Sequence, residues 1–214
     1  MTRARLLALL FVSALQVGCR KDDTSLRASG TSADSQSAHI AQVVASGGVV
    51  DSILPVDESL RRFRATIPEH PDTLRGASAS LNALLSRLAS AVSQRDSAAL
   101  NAMVFDRAEF AWLYYSESAM SRPPYEAPPG LLWTGILASS DEGVKQLLSR
   151  FGGKPLRLHG VSCSPPRAEG GNTVHERCEV RASVAGKSIG AIRLFGTVIE
   201  RDGRFKFLGY TNAL

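Results

Sequence analysis

The spacing of apolar residues changes once along this chain, and the change divides the fold. Leu81, Leu84, Leu85, Leu88, Ala91 and Val92 recur at intervals of three and four, the period of a helix with one buried face. This predicts a helix from about Ser78 to Gln94, closed by Arg95-Asp96. Asp96 or Ser97 can cap a short following helix through Met103. Upstream, Pro55 to about Ala65 reads as a helix with Leu60 and Phe63 on its apolar stripe. Pro55, Asp57 and Glu58 suit its first turn, and Arg61, Arg62 and Arg64 suit its last. Downstream, Arg107 to about Tyr115 forms a third helical segment. Pro123-Pro124 and Pro128-Pro129 then impose a loop from Ser116 to Pro129. A further helix is expected from about Gly130 to Arg150, broken near Ser139-Ser140-Asp141 and ended by Gly152-Gly153.

After Pro155 the period becomes two. Leu156–Cys163, Thr173–Val184, Lys187–Arg201 and Arg204–Thr211 read as four strands, with Ala185-Gly186 and Asp202-Gly203 at tight hairpin turns. Helices first and an antiparallel meander second predict an α+β domain with its helices packed on one face of a sheet.

The amino-terminal region has neither period. Arg3 and Arg5 precede an apolar run from Leu6 to Leu15, followed by Gln16-Val17-Gly18-Cys19. A charged start, a short apolar run and a small residue before a cleavage point form an export signal. The run is too short to span a bilayer. The cysteine after Gly18 makes the segment resemble a bacterial lipoprotein signal, which implies that Cys19 becomes the lipidated first residue of a membrane-anchored envelope protein. Gln16 stands where that pattern usually has Leu. An ordinary exported protein, with Cys19 a spare thiol, is the alternative. From Arg20 to about Gly48 the chain is rich in Ser, Ala, Asp, Thr and Gly and has no aromatic residue. It buries too little apolar surface to offset its ordering entropy. The expected organisation is a signal over 1–18, a flexible tether over 19–48 with at most a transient turn from His39 to Val44, and one domain over 49–214.

Charge adds little. The net charge of +5 falls by two when Arg3 and Arg5 leave with the signal. The basic residues are scattered and not interleaved with aromatics, which excludes a nucleic-acid face. Of the three cysteines, Cys163 and Cys178 remain after Cys19 is assigned. They lie almost symmetrically about Gly170-Gly171, so a hairpin centred there sets them opposite each other. An exported chain favours a disulfide between them. Two buried thiols or a metal site are the alternatives. His159 and His175 are near, but the spacing matches no zinc pattern.

The helix Leu81–Gln94, followed by Arg95-Asp96-Ser97-Ala98-Ala99-Leu100, resembles the opening of NTF2-like domains, the fold of ketosteroid isomerase. The resemblance covers about Ala79 to Leu214. It implies a cone-shaped domain with a strongly curved sheet and a pocket between sheet and helices. Phe110 to Tyr115, Arg122 to Glu126 and Pro128 to Trp133 resemble a signature of uncharacterised bacterial lipoproteins in that group, which carries no activity.

Candidate chemistry is sparse. If Cys163 and Cys178 pair, then Val180, Ala182 and Val184 share their face. On the first strand Val161, His159 and Arg157 fall on the same side, which could aim His159 into a pocket as a base. A bulge would reverse this, and a structural role for the histidine is the simpler reading. His175, Arg177, Glu179 and Arg181 alternate on the other face, as a solvated face does. Asp106 and Glu109 could be paired carboxylates, but a helix cap and a stabilised first turn account for them. The base and oxyanion pair of ketosteroid isomerase have no counterparts here. Trp112, Tyr114, Tyr115, Tyr125 and Trp133 flank the proline-stiffened loop and could rim a pocket or a partner surface, or anchor the loop to the core. No phosphate loop, nucleophile elbow or metal-binding histidine motif is present, so no cofactor or metal is expected. The leading expectation is a non-catalytic, membrane-tethered module binding a small apolar ligand or a protein. A pocket enzyme of isomerase or hydratase type and a purely structural envelope domain are the alternatives.

Overall fold

In the computed structural model the described residues are 54–214, with Ala38, His39, Ala41, Gln42, Ala45 and Ser46. The expected signal, Cys19 and most of the expected tether lie outside the described residues. The first five of the separate positions are helical, and all six are exposed. Residues Ile53–Leu214 form one compact unit.

Helix α1, Val56–Ala65, starts after Pro55 and buries Leu60 and Phe63. Helix α2, Leu81–Gln94, starts with its first apolar position, three residues after the expected Ser78. The Ser80 side chain caps it by accepting from the Ala83 amide, and Arg95 closes it in the left-handed conformation at φ 58°. Ser78 lies outside the helix because it bridges to Phe205. Asp96 caps α3, Ser97–Ala102. A single turn, α4, Arg107–Glu109, runs into a π-helical stretch Phe110–Tyr114, where a simple helix was expected. Within the expected loop, Tyr115–Glu117 and Ala119–Ser121 are 3₁₀ turns. Helix α5, Pro129–Phe151, is continuous, so the break expected near Ser139-Ser140-Asp141 does not occur. Small residues there serve a close approach. Ser140 Oγ accepts from the Tyr210 amide at 3.2 Å, and a Cβ on Gly143 would lie 1.5 Å from the Tyr210 carbonyl oxygen.

The sheet region is antiparallel, and its four expected runs are divided into seven strands. These are β1 Leu156–Ser162, β2 Arg167–Glu169, β3 Asn172–His175, β4 Glu179–Val184, β5 Lys187–Ile192, β6 Val198–Arg201 and β7 Arg204–Phe207. They form two sheets, β1-β4-β5 and β2-β3-β6-β7. The first two runs make one long hairpin about Gly170-Gly171, bent where Ser162↔Glu179 gives way to Arg167↔Val174. A disulfide joins Cys163 to Cys178 at that bend, with Cα atoms 4.0 Å apart. The residues between the ladders leave the pairing, and Arg177 there has φ 51°. The third run bends likewise between Ile192 and Val198. The hairpins at Ala185-Gly186 and Asp202-Gly203 have positive φ at both turn residues, the geometry that matches strand twist.

The four-stranded sheet is buried on both faces. Val198 and Phe207 join a core with Leu84, Leu88, Val92, Leu100, Leu147, Val180, Leu194, Phe195 and Tyr210. The neighbouring Ile199 points into a second core with Leu60, Phe63, Phe105, Phe110, Tyr114, Tyr115, Trp133 and Val174. Alternation along a strand thus sends successive side chains into different cores.

Candidate functional site

The second core is built around a polar anchor. Asp106 Oδ1 accepts from the Ala108 and Glu109 amides, and Glu109 Oε2 accepts from the Asp106 amide at 3.0 Å, a complete capping box. The expected capping roles of both acids are present. Glu109 does more, because it is fully buried. Lys206 on β7, only 3% exposed, donates to Glu109 Oε2 at 2.6 Å, and the Arg75 amide donates to Oε1 at 2.6 Å. Such a charge stays buried only with charged and hydrogen-bonding partners around it. A second link runs from the end of the π-helical stretch. Asn172 Nδ2 and Arg201 Nη1 both donate to the Leu113 carbonyl and to Glu117 Oε2.

These anchors fix the aromatic segment, and the five candidate aromatics separate. Tyr115 is buried and donates to the Ala127 carbonyl at 2.6 Å. Tyr114 is buried, and burial first, then Glu169 and Glu176, pushes its phenol far above the ordinary range. Trp133 is buried with its ring 5.2 Å from Phe110. These three hold the loop and α5 to the core. Tyr125, 62% exposed, stands at the loop surface.

Trp112 belongs to neither set. It is half-buried beside α1, and its Nε1 is buried without an acceptor among the described residues. The Arg64 guanidinium stacks 4.1 Å from its ring centroid and donates through Nε and Nη2 to the Ala111 carbonyl, at 3.0 and 2.7 Å. Burial lowers the Arg64 pKa. His70 also meets the indole edge-on, with centroids 3.9 Å apart. Trp112, Leu60, Ala65, Asp57, Arg61 and Arg64 line an open groove of about 510 Å³. Its wall is apolar, its rim carries both charges, and the Trp112 Nε1 donor beside it has no acceptor among the described residues.

At His159 the bulge that reverses the alternation is present. The register slips between Leu158 and Gly160, so Leu158 stands opposite Ala182 and His159 is exposed at the bulge. Val161, Val180 and Ala182 keep the shared face. His159 Nε2 lies 2.8 Å from Ser183 Oγ, at an open groove of about 700 Å³ between α2 and β1. Among the described residues no carboxylate bonds the histidine, so nothing orients it as the third member of a catalytic triad would. On the opposite face His175 pairs with Glu200 at 3.0 Å, while Arg177, Glu179 and Arg181 are exposed. Among the described residues no group of three or more His, Cys, Asp or Glu could hold a metal ion, and no helix is long and apolar enough to cross a membrane.

Sequence reasoning missed Lys206, Arg64 and Arg193. A lysine in an alternating strand reads as solvent-facing, and an arginine in the last turn of a helix reads as a dipole partner. Only the burial of Lys206 beside Glu109, and the stacking of Arg64 on Trp112, show otherwise. No protein-family model, curated protein or solved structure matches the chain.

Proposed function

We propose that this is an exported, lipid-anchored NTF2-like domain that binds a protein partner through the Trp112 groove. The carrying observation is the buried Trp112 Nε1 without an acceptor. A buried donor left unpaired costs about 1–3 kcal/mol, and a small turn of the half-buried indole that let a partner's backbone carbonyl reach it would remove that cost. Tryptophan and arginine are the residue types that dominate interface energetics, and here Arg64 stacks on the indole while Arg61, paired with Glu58, lines the same groove. The groove is open, which suits a protein segment better than a small enclosed ligand. The meander of bent strands under an N-terminal helical layer supports the NTF2-like reading. The interior of the larger core is filled by Phe195, Phe207 and Tyr210, which supports a reading in which recognition occurs at the surface.

The test is photo-crosslinking in cells, with a benzophenone amino acid replacing Arg61 in the full chain. A discrete protein adduct is expected, absent from a Ser86 control and lost with Trp112→Ala. Equal labelling at both positions would contradict the reading. The anchor has its own test. The mature protein should carry a diacylglyceryl group on Cys19, and Cys19→Ser should release it from membranes. An unmodified N-terminus at another residue refutes lipidation and leaves the groove reading untouched.

A further inference from the structure

A second site lies where the two sheets part. Between the bend of the long hairpin, the bend of the third run and α5 there is a cleft of about 390 Å³, lined by Ile136, Arg177, Arg193, Thr197, Leu208 and Thr211, with Glu176, Gly196 and Gly209. Its cations are unusually free. The Arg193 guanidinium has no hydrogen-bond or ion-pair partner among the described residues, and its Nε is buried without an acceptor. Arg177 Nε donates to Ser164 Oγ at 2.8 Å, and among the described residues it pairs with no carboxylate. The acid in the cleft, Glu176, is already engaged by Arg167 at 3.1 Å. Folding has therefore placed two guanidinium groups at one concavity and left the more buried of them unsatisfied, an arrangement costly without an anion.

The walls say what kind of anion. Ile136 and Leu208 supply apolar surface, and Thr197 and Thr211 supply hydroxyls. A guanidinium presents paired donors that match a carboxylate. The cleft sits near the small end of ligand sites, too small for a two-chain lipid. We infer that this cleft binds a small organic carboxylate with an apolar body, its headgroup between Arg193 and Arg177 and its body against Ile136 and Leu208. The site is separate from the Trp112 groove, and neither reading depends on the other.

The test is a titration of the ¹⁵N-labelled full chain with octanoate, following the amides of Gly196, Thr197, Gly209 and Thr211. Octanol and inorganic phosphate serve as the apolar and anionic halves of the probe. Saturable shifts with octanoate are expected, with octanol and phosphate each at least about tenfold weaker. Arg193→Gln should weaken octanoate about tenfold or more, the loss of a charge-assisted pair. Arg177→Gln, at an exposed side chain, gives a second variant that keeps its fold and should also weaken binding. No saturable shift in a well-dispersed spectrum overturns the inference. So does phosphate or octanol binding as tightly as octanoate, or unchanged affinity in Arg177→Gln.

Discussion

The two faces of the four-stranded sheet are held by different physics. On one face Val198 and Phe207 meet an aliphatic and aromatic core that α2, α3 and α5 complete. No ion pair crosses it among the described residues, and many methyl and ring contacts share the stabilisation. On the other face Ile199 and Lys206 meet the aromatic segment, and there three polar links set the geometry: Glu109 to Lys206, Glu117 to Arg201, and Asn172 to the Leu113 carbonyl. The first core tolerates approximate matches of shape. The second requires particular partners, because each buried charge lacking one is costly. The half that needs particular partners also carries Trp112, with its unpaired donor and stacked arginine.

The largest effect is expected from breaking the buried pair. Lys206→Met leaves Glu109 without its counter-charge, held only by the Arg75 and Asp106 amides, and should cost about 3–5 kcal/mol in urea unfolding. A double change, Glu109→Leu with Lys206→Met, should recover much of that. A single-variant cost below about 1 kcal/mol would erase the contrast between the faces. Next comes Leu88→Ala in the aliphatic core, expected to cost about 3 kcal/mol by transfer and cavity formation. Unlike Lys206→Met, it should have no second substitution that restores stability by removing a partner. The smallest effect is Asp106→Ala, which removes the side-chain half of the capping box and should cost about 1 kcal/mol. It sharpens the comparison by separating the cap from the charge pair, since Glu109 keeps Lys206.

The sequence was readable where one residue decides one local feature. The leucines of α2, the caps at Asp96 and Asp106, the Ala185-Gly186 and Asp202-Gly203 turns and the Cys163–Cys178 bridge needed only spacing or local chemistry. The strand bends were not readable, because residues 176–178 and 193–197 keep an extended pattern while leaving the ladder. The bulge at His159 depends on the partner strand. The continuity of α5 through Ser140 and Gly143 depends on how closely the Tyr210 segment packs against it. The candidate site was legible only in part. Trp112 stood out by type, but the partnerless state of its N–H is a property of the tertiary neighbours Arg64 and His70.

The central claim is that Trp112 serves recognition and is not needed to hold the fold. The measurement that tests it most directly is Trp112→Phe, scored together for thermal midpoint and for crosslink yield from the residue 61 position. Phenylalanine keeps an aromatic face for Arg64 and removes the indole donor. The midpoint should stay within about 2 °C of the parent, and the yield should fall about tenfold or more. Full yield at an unchanged midpoint, or a loss of yield that only follows unfolding, would contradict the account.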